Sequence, residues 1–274
     1  MKVLVTGSSG FIGKSLVEKM NIEKLDVVTF DIKDNINEDV RNLESLLKKS
    51  RGCKAIVHLA ALCKDYESVR KPYEYFSTNV LGTLNALEVA RIRKVRKFLF
   101  ASSAGIGDRT PYSLSKLIGE ELCIFYNKKY NIPTYILRIY NVYGPGNEKG
   151  VVYNFVKNTL DGKPVVINFD GKQERDFIHV DDVAKSIILL LKKSYEPGIY
   201  EVGTGKSIKI LDLANLIASL ANKKGKLVFR NPKIEEIRIS RAKRPLLKQC
   251  KPLEEGIKEV IEWYREFKNK NSKC

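Results

Sequence analysis

The chain of 274 residues is short of several things. It has one tryptophan, two methionines and two histidines, and its five cysteines (Cys53, Cys63, Cys123, Cys250, Cys274) are scattered without a CxxC pair. That spacing excludes a disulfide frame or a zinc site and suits reduced thiols in a cytoplasmic setting. No apolar run is long enough to cross a bilayer, so no membrane association is expected. The first strand begins at Lys2, which leaves no room for a signal peptide. Internal repeats and low-complexity linkers are lacking as well. Acidic residues are in deficit: 49 Lys and Arg against 32 Asp and Glu give a net charge of +17. The excess is spread along the chain with no nucleic-acid motif. It therefore reads as a solvated lysine-rich surface that also draws an anionic small substrate, and no nucleic-acid partner is expected.

What is present is concentrated at the start. The run MKVLVTGSSGFIGKSLVEKM joins a β-rich stretch, 2–6, to a turn carrying Gly7, Gly10 and Gly13 and then to an amphipathic helix, 11–20. A strand feeding a glycine turn and a helix N-terminus makes a pyrophosphate cradle, because free amides and the helix dipole favour negative charge. A second strand, LDVVTF, ends in Asp31. The separation from Gly13 is close to the roughly 20 residues at which an acid meets the adenosine ribose of NAD. Asp31 read simply as a turn cap remains the alternative.

Further strands are expected at 26–31, 55–59, 97–101 and 134–139, separated by helices near 42–50, 79–93 and 112–130. Alternation of this kind specifies an α/β fold, a Rossmann-type doubly wound parallel sheet, with ligands outside the carboxyl ends of its strands. After Asn141 the texture changes. YGPGNEKG reads as a loop, KPVVINFDGKQERDF as a short strand and turn, and DFIHVDDVAKSIILLLKK as a helix. A smaller mixed C-terminal substrate lobe follows. The expected division is a dinucleotide-binding domain over 1–148, with 176–200 returning to it, and a substrate lobe over 149–175 and 201–270.

YSLSK sets Tyr112 and Lys116 at i and i+4 on one helical face. Free tyrosine, with a pKa near 10, is a poor base at neutrality, and a neighbouring cation favours its phenolate. Ser103, at the tip of the preceding strand, is placed to hold a substrate hydroxyl beside that phenol. Taken alone the pair reads better as a surface Tyr–Lys contact, and it is the glycine turn, the Asp-ended strand and the Ser-tipped strand before it that favour chemistry. His58 and His179 read as packed histidines. Asp181 and Asp182 read as helix caps, with no metal expected, and Arg175 beside Asp176 reads either as a salt bridge or as a phosphate ligand.

The segments TGSSGFIG, HLAAL, NVLGTLNALEVAR, FASS, YSLSKLIGEE, LRIYNVYGPGN, RDFIHVDDVA and KPLEEGI stand in one order. In that order the chain resembles the extended short-chain dehydrogenase/reductase family, the NAD-dependent nucleotide-sugar epimerases and dehydratases. The resemblance implies that Gly7, Gly10, Phe11, Ile12 and Gly13 hold the NAD pyrophosphate. It gives Asp31, Ile32 and Lys33 to the adenosine ribose and Asp39 and Val40 to the adenine. Leu59, Ala60, Ala61 and Asn79 line the cofactor, and Tyr140 abuts the nicotinamide. Ser103, Tyr112 and Lys116 are the catalytic trio, Lys116 also binding the nicotinamide ribose. Asn141, Arg175 and Arg230 hold the nucleotide-sugar diphosphate.

The implied reaction is 4-epimerisation of a UDP-hexose of the UDP-glucose/UDP-galactose type through transient oxidation, in a homodimer built on helices 79–93 and 112–130. Alternatives are a dehydratase, decarboxylase or reductase of the same family, or a non-catalytic NAD-binding protein. Family dehydratases keep an Asp-Glu pair after the strand-tip residue, whereas here Ala104, Gly105 and Ile106 follow Ser103. The loop GIGDRTP and the stretch KLVFRNPKIEEIRISRAK are both shortened relative to the family.

Overall fold

Three consecutive fully buried side chains, Val3, Leu4 and Val5, open the first strand. In the computed structural model, which describes residues 1–107, 110–223, 225–231 and 237–271, they belong to β1 (Lys2–Thr6). The glycine turn leads into α1 (Phe11–Ile22), followed by β2 (Asp26–Phe30), α2 (Leu43–Lys49) and β3 (Ala55–His58). Every residue of β3 is buried, as expected of a parallel strand covered on both faces. Next come α3 (Asp65–Arg70) and α4 (Pro72–Tyr75), a wider π-helical turn (Phe76–Leu81) and α5 (Gly82–Arg93). β4 (Lys97–Ser103), α6 (Pro111–Tyr130) and β5 (Thr134–Ile139) complete the alternation.

The chain divides into two units. The first holds Met1–Ile139 and Val183–Glu201; the second holds Tyr140–Asp182 and the described residues from Val202 onward. In the first, strands lie in the order β2-β1-β3-β4-β5, with β9 (Gly198–Val202) at the far edge. All four pairings from β2 to β5 are parallel. The strand order reverses between β1 and β3, and such a switch point leaves a crevice at the strand ends. Leu4, Phe30, Ile56, Phe98 and Phe100 from the sheet pack with Leu46, Leu87 and Ala90 from the helices.

The second unit contains β6 (Asn141–Tyr143), α7 (Gly150–Leu160), β7 (Val165–Asn168) and β8 (Glu174–His179). It also contains β10 (Ser207–Lys209), α9 (Ile210–Leu220), β11 (Leu227–Arg230), β12 (Ile239–Ser240) and α10 (Leu253–Asn271). β8 pairs with β6, β10 and β12, while β7 and β11 form a separate two-stranded parallel sheet. α8 (Val180–Lys192) crosses the boundary between the units.

The helix expected over DFIHVDDVAKSIILLLKK starts four residues late. Asp176–His179 are the end of β8, where Phe177 and Ile178 are buried in a sheet and pair with Asn141 and Val142. Part of KLVFRNPKIEEIRISRAK and residues 108–109 of the loop GIGDRTP lie outside the described residues.

Candidate active site

The glycine turn is built so tightly that two of its positions exclude a side chain. Gly7 has φ +72, and a Cβ there would lie 2.6 Å from the Ala60 nitrogen. A Cβ on Gly13 would lie 2.1 Å from the Gly7 carbonyl oxygen. The turn after β1 and the turn after β3 therefore meet backbone to backbone at the switch point. Gly10 sits at the N-cap of α1 and supplies no side-chain cap. The first amides of the helix, Phe11, Ile12 and Gly13 among them, are thus left to an anion. Asp31 is 7% exposed. Its two oxygens accept the Ser9 and Lys33 amides, both at 2.9 Å, which fixes a carboxylate at the rim of the cradle.

Other residues expected at the cofactor are placed as follows. Ile32 is exposed. Asp39 is held by the Arg41 guanidinium at 3.0 and 2.9 Å, which lowers its pKa against a partial burial penalty. The Val40 side chain is buried against Gly82, and its carbonyl accepts from Asn85 at 3.0 Å. The Leu59 amide donates to the Thr6 carbonyl at 3.1 Å, which continues the β1–β3 pairing into Ala60 and Ala61.

Ser103 ends β4, and Tyr112 and Lys116 lie in the first two turns of α6. That helix is started by a reciprocal cap: Thr110 and Ser113 exchange hydrogen bonds with each other's backbone, with Pro111 at the first helical position. Burial pushes the Tyr112 phenol well above its ordinary value, and a hydrogen bond with Ser103 works against that. Burial also pushes Lys116 down to about 8. Its Nζ donates to the Ala101 carbonyl at 2.8 Å and lies 5.0 Å from the Phe100 ring centre. The ammonium thus gives one of its three donors to a backbone carbonyl, and desolvation is the largest influence on the phenol. In this arrangement Tyr112 is a neutral phenol.

Further buried groups brace these residues. His58 is pushed to about 3 by burial and is neutral. Thr83 Oγ1 gives its proton to the Asn79 carbonyl at 2.6 Å, so it must accept from His58 Nε2 at 3.2 Å. The His58 Nδ1 then accepts from Thr6 Oγ1 at 2.7 Å, which assigns the tautomer. Glu120, one turn beyond Lys116, was not singled out by motif. It is 1% exposed and is bonded to Ser102 and to Arg138.

In the second unit, Tyr140 packs against Gly203, where a Cβ would meet its ring at 2.9 Å. The Asn141 amide donates to the Asp176 carbonyl at 2.9 Å. Arg175 donates to the Glu174 and Ile237 carbonyls at 2.9 and 2.8 Å. The Asp176 carboxylate, fully buried, collects the amides of Thr204, Gly205 and Ala242 and the Thr204 hydroxyl. It organises the loops around β8. Arg230 Nε donates to Asn168 Oδ1 at 2.7 Å across the β7–β11 pair. His179 is buried beside Glu259, 3.2 Å from its carboxylate. Asp182 lies in the first turn of α8 and accepts the Lys251 amide at 2.7 Å, so it ties two segments together as well as facing the helix start.

The model of the NAD dependent epimerase/dehydratase family matches residues 3–203. This chain belongs to that family. A Methanocaldococcus jannaschii protein provisionally named UDP-glucose 4-epimerase is 34% identical over 98% of this chain and 99% of its own length. Among solved structures, the Thermus thermophilus UDP-glucose 4-epimerase in complex with NAD is 30% identical, with a TM-score of 0.87 over 97% of this chain and 99% of that one. The Methanobrevibacter ruminantium UDP-N-acetylglucosamine 4-epimerase is 25% identical, with a TM-score of 0.89 over 97% and 98%.

The extended short-chain dehydrogenase/reductase fold is thereby established, and NAD is the cofactor of this family. The residues present fit it: a cradle that a Cβ would fill at Gly7 and Gly13, an uncapped helix start, and a fixed carboxylate at Asp31. Among the described residues no helix is long and apolar enough to cross a membrane.

Proposed function

We propose that this family member is a UDP-hexose 4-epimerase of the UDP-glucose/UDP-galactose type. Ser103 at the end of β4, near enough to lower the pKa of the Tyr112 phenol, with Lys116 one helical turn beyond Tyr112 in α6, carries the reading. When bound, NAD takes a hydride from the sugar C4 and returns it to the opposite face, so it is regenerated each turnover. Ser103 Oγ holds the sugar 4-hydroxyl against Tyr112. With positive charge brought beside it, Tyr112 first gives its own proton to solvent; the resulting phenolate Oη accepts the sugar hydroxyl proton as the carbonyl forms and gives it back as the carbonyl is reduced. Lys116 binds the nicotinamide ribose and supplies positive charge beside the phenol. Asp31 binds the adenosine ribose, and Asn141, Arg175 and Arg230 the diphosphate. Backbone amides at Phe11, Ile12 and Gly13 hold the pyrophosphate, while Gly7 and Gly10, whose own amides donate to the Phe30 and Gly7 carbonyls, shape the turn that lets it approach.

Dehydration is disfavoured because Ala104, Gly105 and Ile106 after Ser103 offer no carboxylate to take the C5 proton or carboxylic acid to help expel the 6-hydroxyl. Solved relatives with TM-scores near this one act on other UDP sugars, glucuronate and N-acetylglucosamine among those named. The sugar is therefore settled by experiment: purified protein with NAD and UDP-galactose, read as UDP-glucose formed, then a panel of UDP-, dTDP- and GDP-sugars. UDP-glucose formation supports the reading. Faster turnover of another UDP sugar reassigns the substrate, and no turnover of any sugar leaves an NAD-binding protein.

We further propose a homodimer through α5 and α6, on which Ile92, Leu114 and Phe125 are exposed at 46%, 45% and 51%. Free thiols at Cys53, Cys63, Cys123 and Cys250 suit a cytoplasmic location.

A further inference from the structure

We propose that Asn79 is a positioning residue that donates nothing to the dinucleotide. Through Ser115 it clasps the cofactor-lining turn to the catalytic helix. The proposal rests on the epimerase reading above and departs from the role that the family resemblance gives Asn79.

The argument is one of satisfied valence. A primary amide has two N–H donors and one carbonyl acceptor. Asn79 is 2% exposed. Its Oδ1 accepts the Leu62 amide at 2.8 Å, while its Nδ2 donates to the Leu62 carbonyl at 3.0 Å and to Ser115 Oγ at 2.8 Å. Both N–H groups are therefore committed inside the protein. The pairing with both backbone groups of Leu62 also fixes which way the amide faces. Its own backbone carbonyl is taken by Thr83 Oγ1. Nothing on the side chain is left to donate to a cofactor.

Ser115 completes the clasp. It is 1% exposed, and its single proton goes to the Tyr112 carbonyl at 2.7 Å while its lone pair receives Asn79. Leu62 follows the turn Leu59–Ala61 that abuts Gly7, and Tyr112 is the proposed base. Two side chains thus set the floor of the cofactor crevice and the first turn of α6 at one fixed spacing. Asn79 lies in the π-helical turn Phe76–Leu81, an interruption of the regular helical ladder that is frequently found at functional sites.

Ser115→Ala removes one small hydroxyl, no charge and no cofactor contact. It strands a buried Asn79 donor and frees the Tyr112 carbonyl. A shift of the base by a fraction of an ångström up to 1 Å lowers turnover by about 10- to 100-fold. Turnover, KM and NAD affinity by calorimetry are measured for wild type, Asn79→Ala, Ser115→Ala and the double variant. The expected result is a loss of kcat of about 10- to 100-fold in both singles, with KM and NAD affinity within about threefold of wild type. Because the two residues share one contact, the double variant falls no further than the worse single.

Asn79→Asp adds a readout that packing alone does not move. Its protonated carboxyl still donates a hydrogen bond where the carboxylate cannot, so its kcat recovers toward wild type at acid pH. The proposal is overturned if Asn79→Ala weakens NAD by more than about tenfold while Ser115→Ala matches wild type on every measure. Losses that multiply in the double variant overturn it too. If wild type turns over no sugar, the epimerase reading fails on its own. The clasp is then judged by hydrogen exchange at the Leu62 amide, where faster exchange in Ser115→Ala supports it and unchanged exchange rejects it.

Discussion

Glu120 on α6 accepts the hydroxyl proton of Ser102, the neighbour of Ser103 on β4, at 2.5 Å. Arg138 on β5 grips the same carboxylate at 3.0 and 2.7 Å, and Ser102 and Arg138 are register partners. One buried acid therefore fastens the catalytic helix to two strand ends. Arg138→Met strands that carboxylate in a site where it is 1% exposed. The expected loss of stability is about 3–5 kcal/mol, whereas Ser102→Ala costs about 1 kcal/mol. Urea unfolding of the two variants measures the order.

Tyr112 is held as a phenol by burial, so its ionisation has to be drawn out by positive charge brought beside it. In the ultraviolet difference between wild type and Tyr112→Phe, no phenolate signal is expected up to about pH 10 without cofactor, given the free value of tyrosine. Saturation with NAD moves the onset to lower pH. Tyr112→Phe loses turnover by about 100-fold or more while retaining NAD affinity.

Lys116 titrates near 8 in the fold against 10.5 when unfolded. Below pH 8 both states hold the proton and the fold carries the full cost of burying it. Between 8 and 10.5 the folded protein has released a proton that the unfolded chain keeps, so stability rises with pH. The stability difference between Lys116→Met and wild type is therefore largest below pH 8 and shrinks toward pH 10.5. Denaturation across that range, without cofactor, checks the sign.

Gly13→Ala drives a Cβ to within 2.1 Å of the Gly7 carbonyl and 2.7 Å of Ser8. The turn must open, NAD binding is lost, and stability falls by about 2–4 kcal/mol. Gly198→Ala, with nothing within 4 Å of the new carbon, is the control and changes stability by less than about 0.5 kcal/mol. Calorimetric titration with NAD reads both.

Phe125 is 51% exposed on α6, stacked edge-on with Tyr126 and Tyr130 at 5.8 Å. Phe125→Glu is expected to convert a dimer into a monomer in light scattering. A monomeric wild type at working concentration removes the dimer proposal.

The first unit was readable because its signals are local. Val3 to Val5 are buried strand, the glycine spacing demands a tight turn, and the YSLSK segment lies on a capped helix. The second unit was less so. Phe177 and Ile178 look like the first turn of an amphipathic helix, and only pairing with Asn141 and Val142 makes them strand. The surroundings of Tyr112 were hidden for a related reason: sequence shows a lysine at i+4 but not that its Nζ gives one of its three donors to the Ala101 carbonyl. The π-helical turn at Asn79 and the role of Glu120 depend on partners 36 and 18 residues away along the chain.

The helical stretch from Pro72 to Arg93 touches both ends of the proposed cofactor path. Asn85 donates to the Val40 and Arg41 carbonyls at 3.0 and 2.9 Å, Gly82 lets Val40 pack against it, and Asn79 reaches the catalytic helix. This helical stretch, π-helical turn included, thereby ties the Val40–Arg41 segment to the proposed catalytic helix. A sideways slip of that stretch would disturb the Val40–Arg41 segment and the first turns of α6 together.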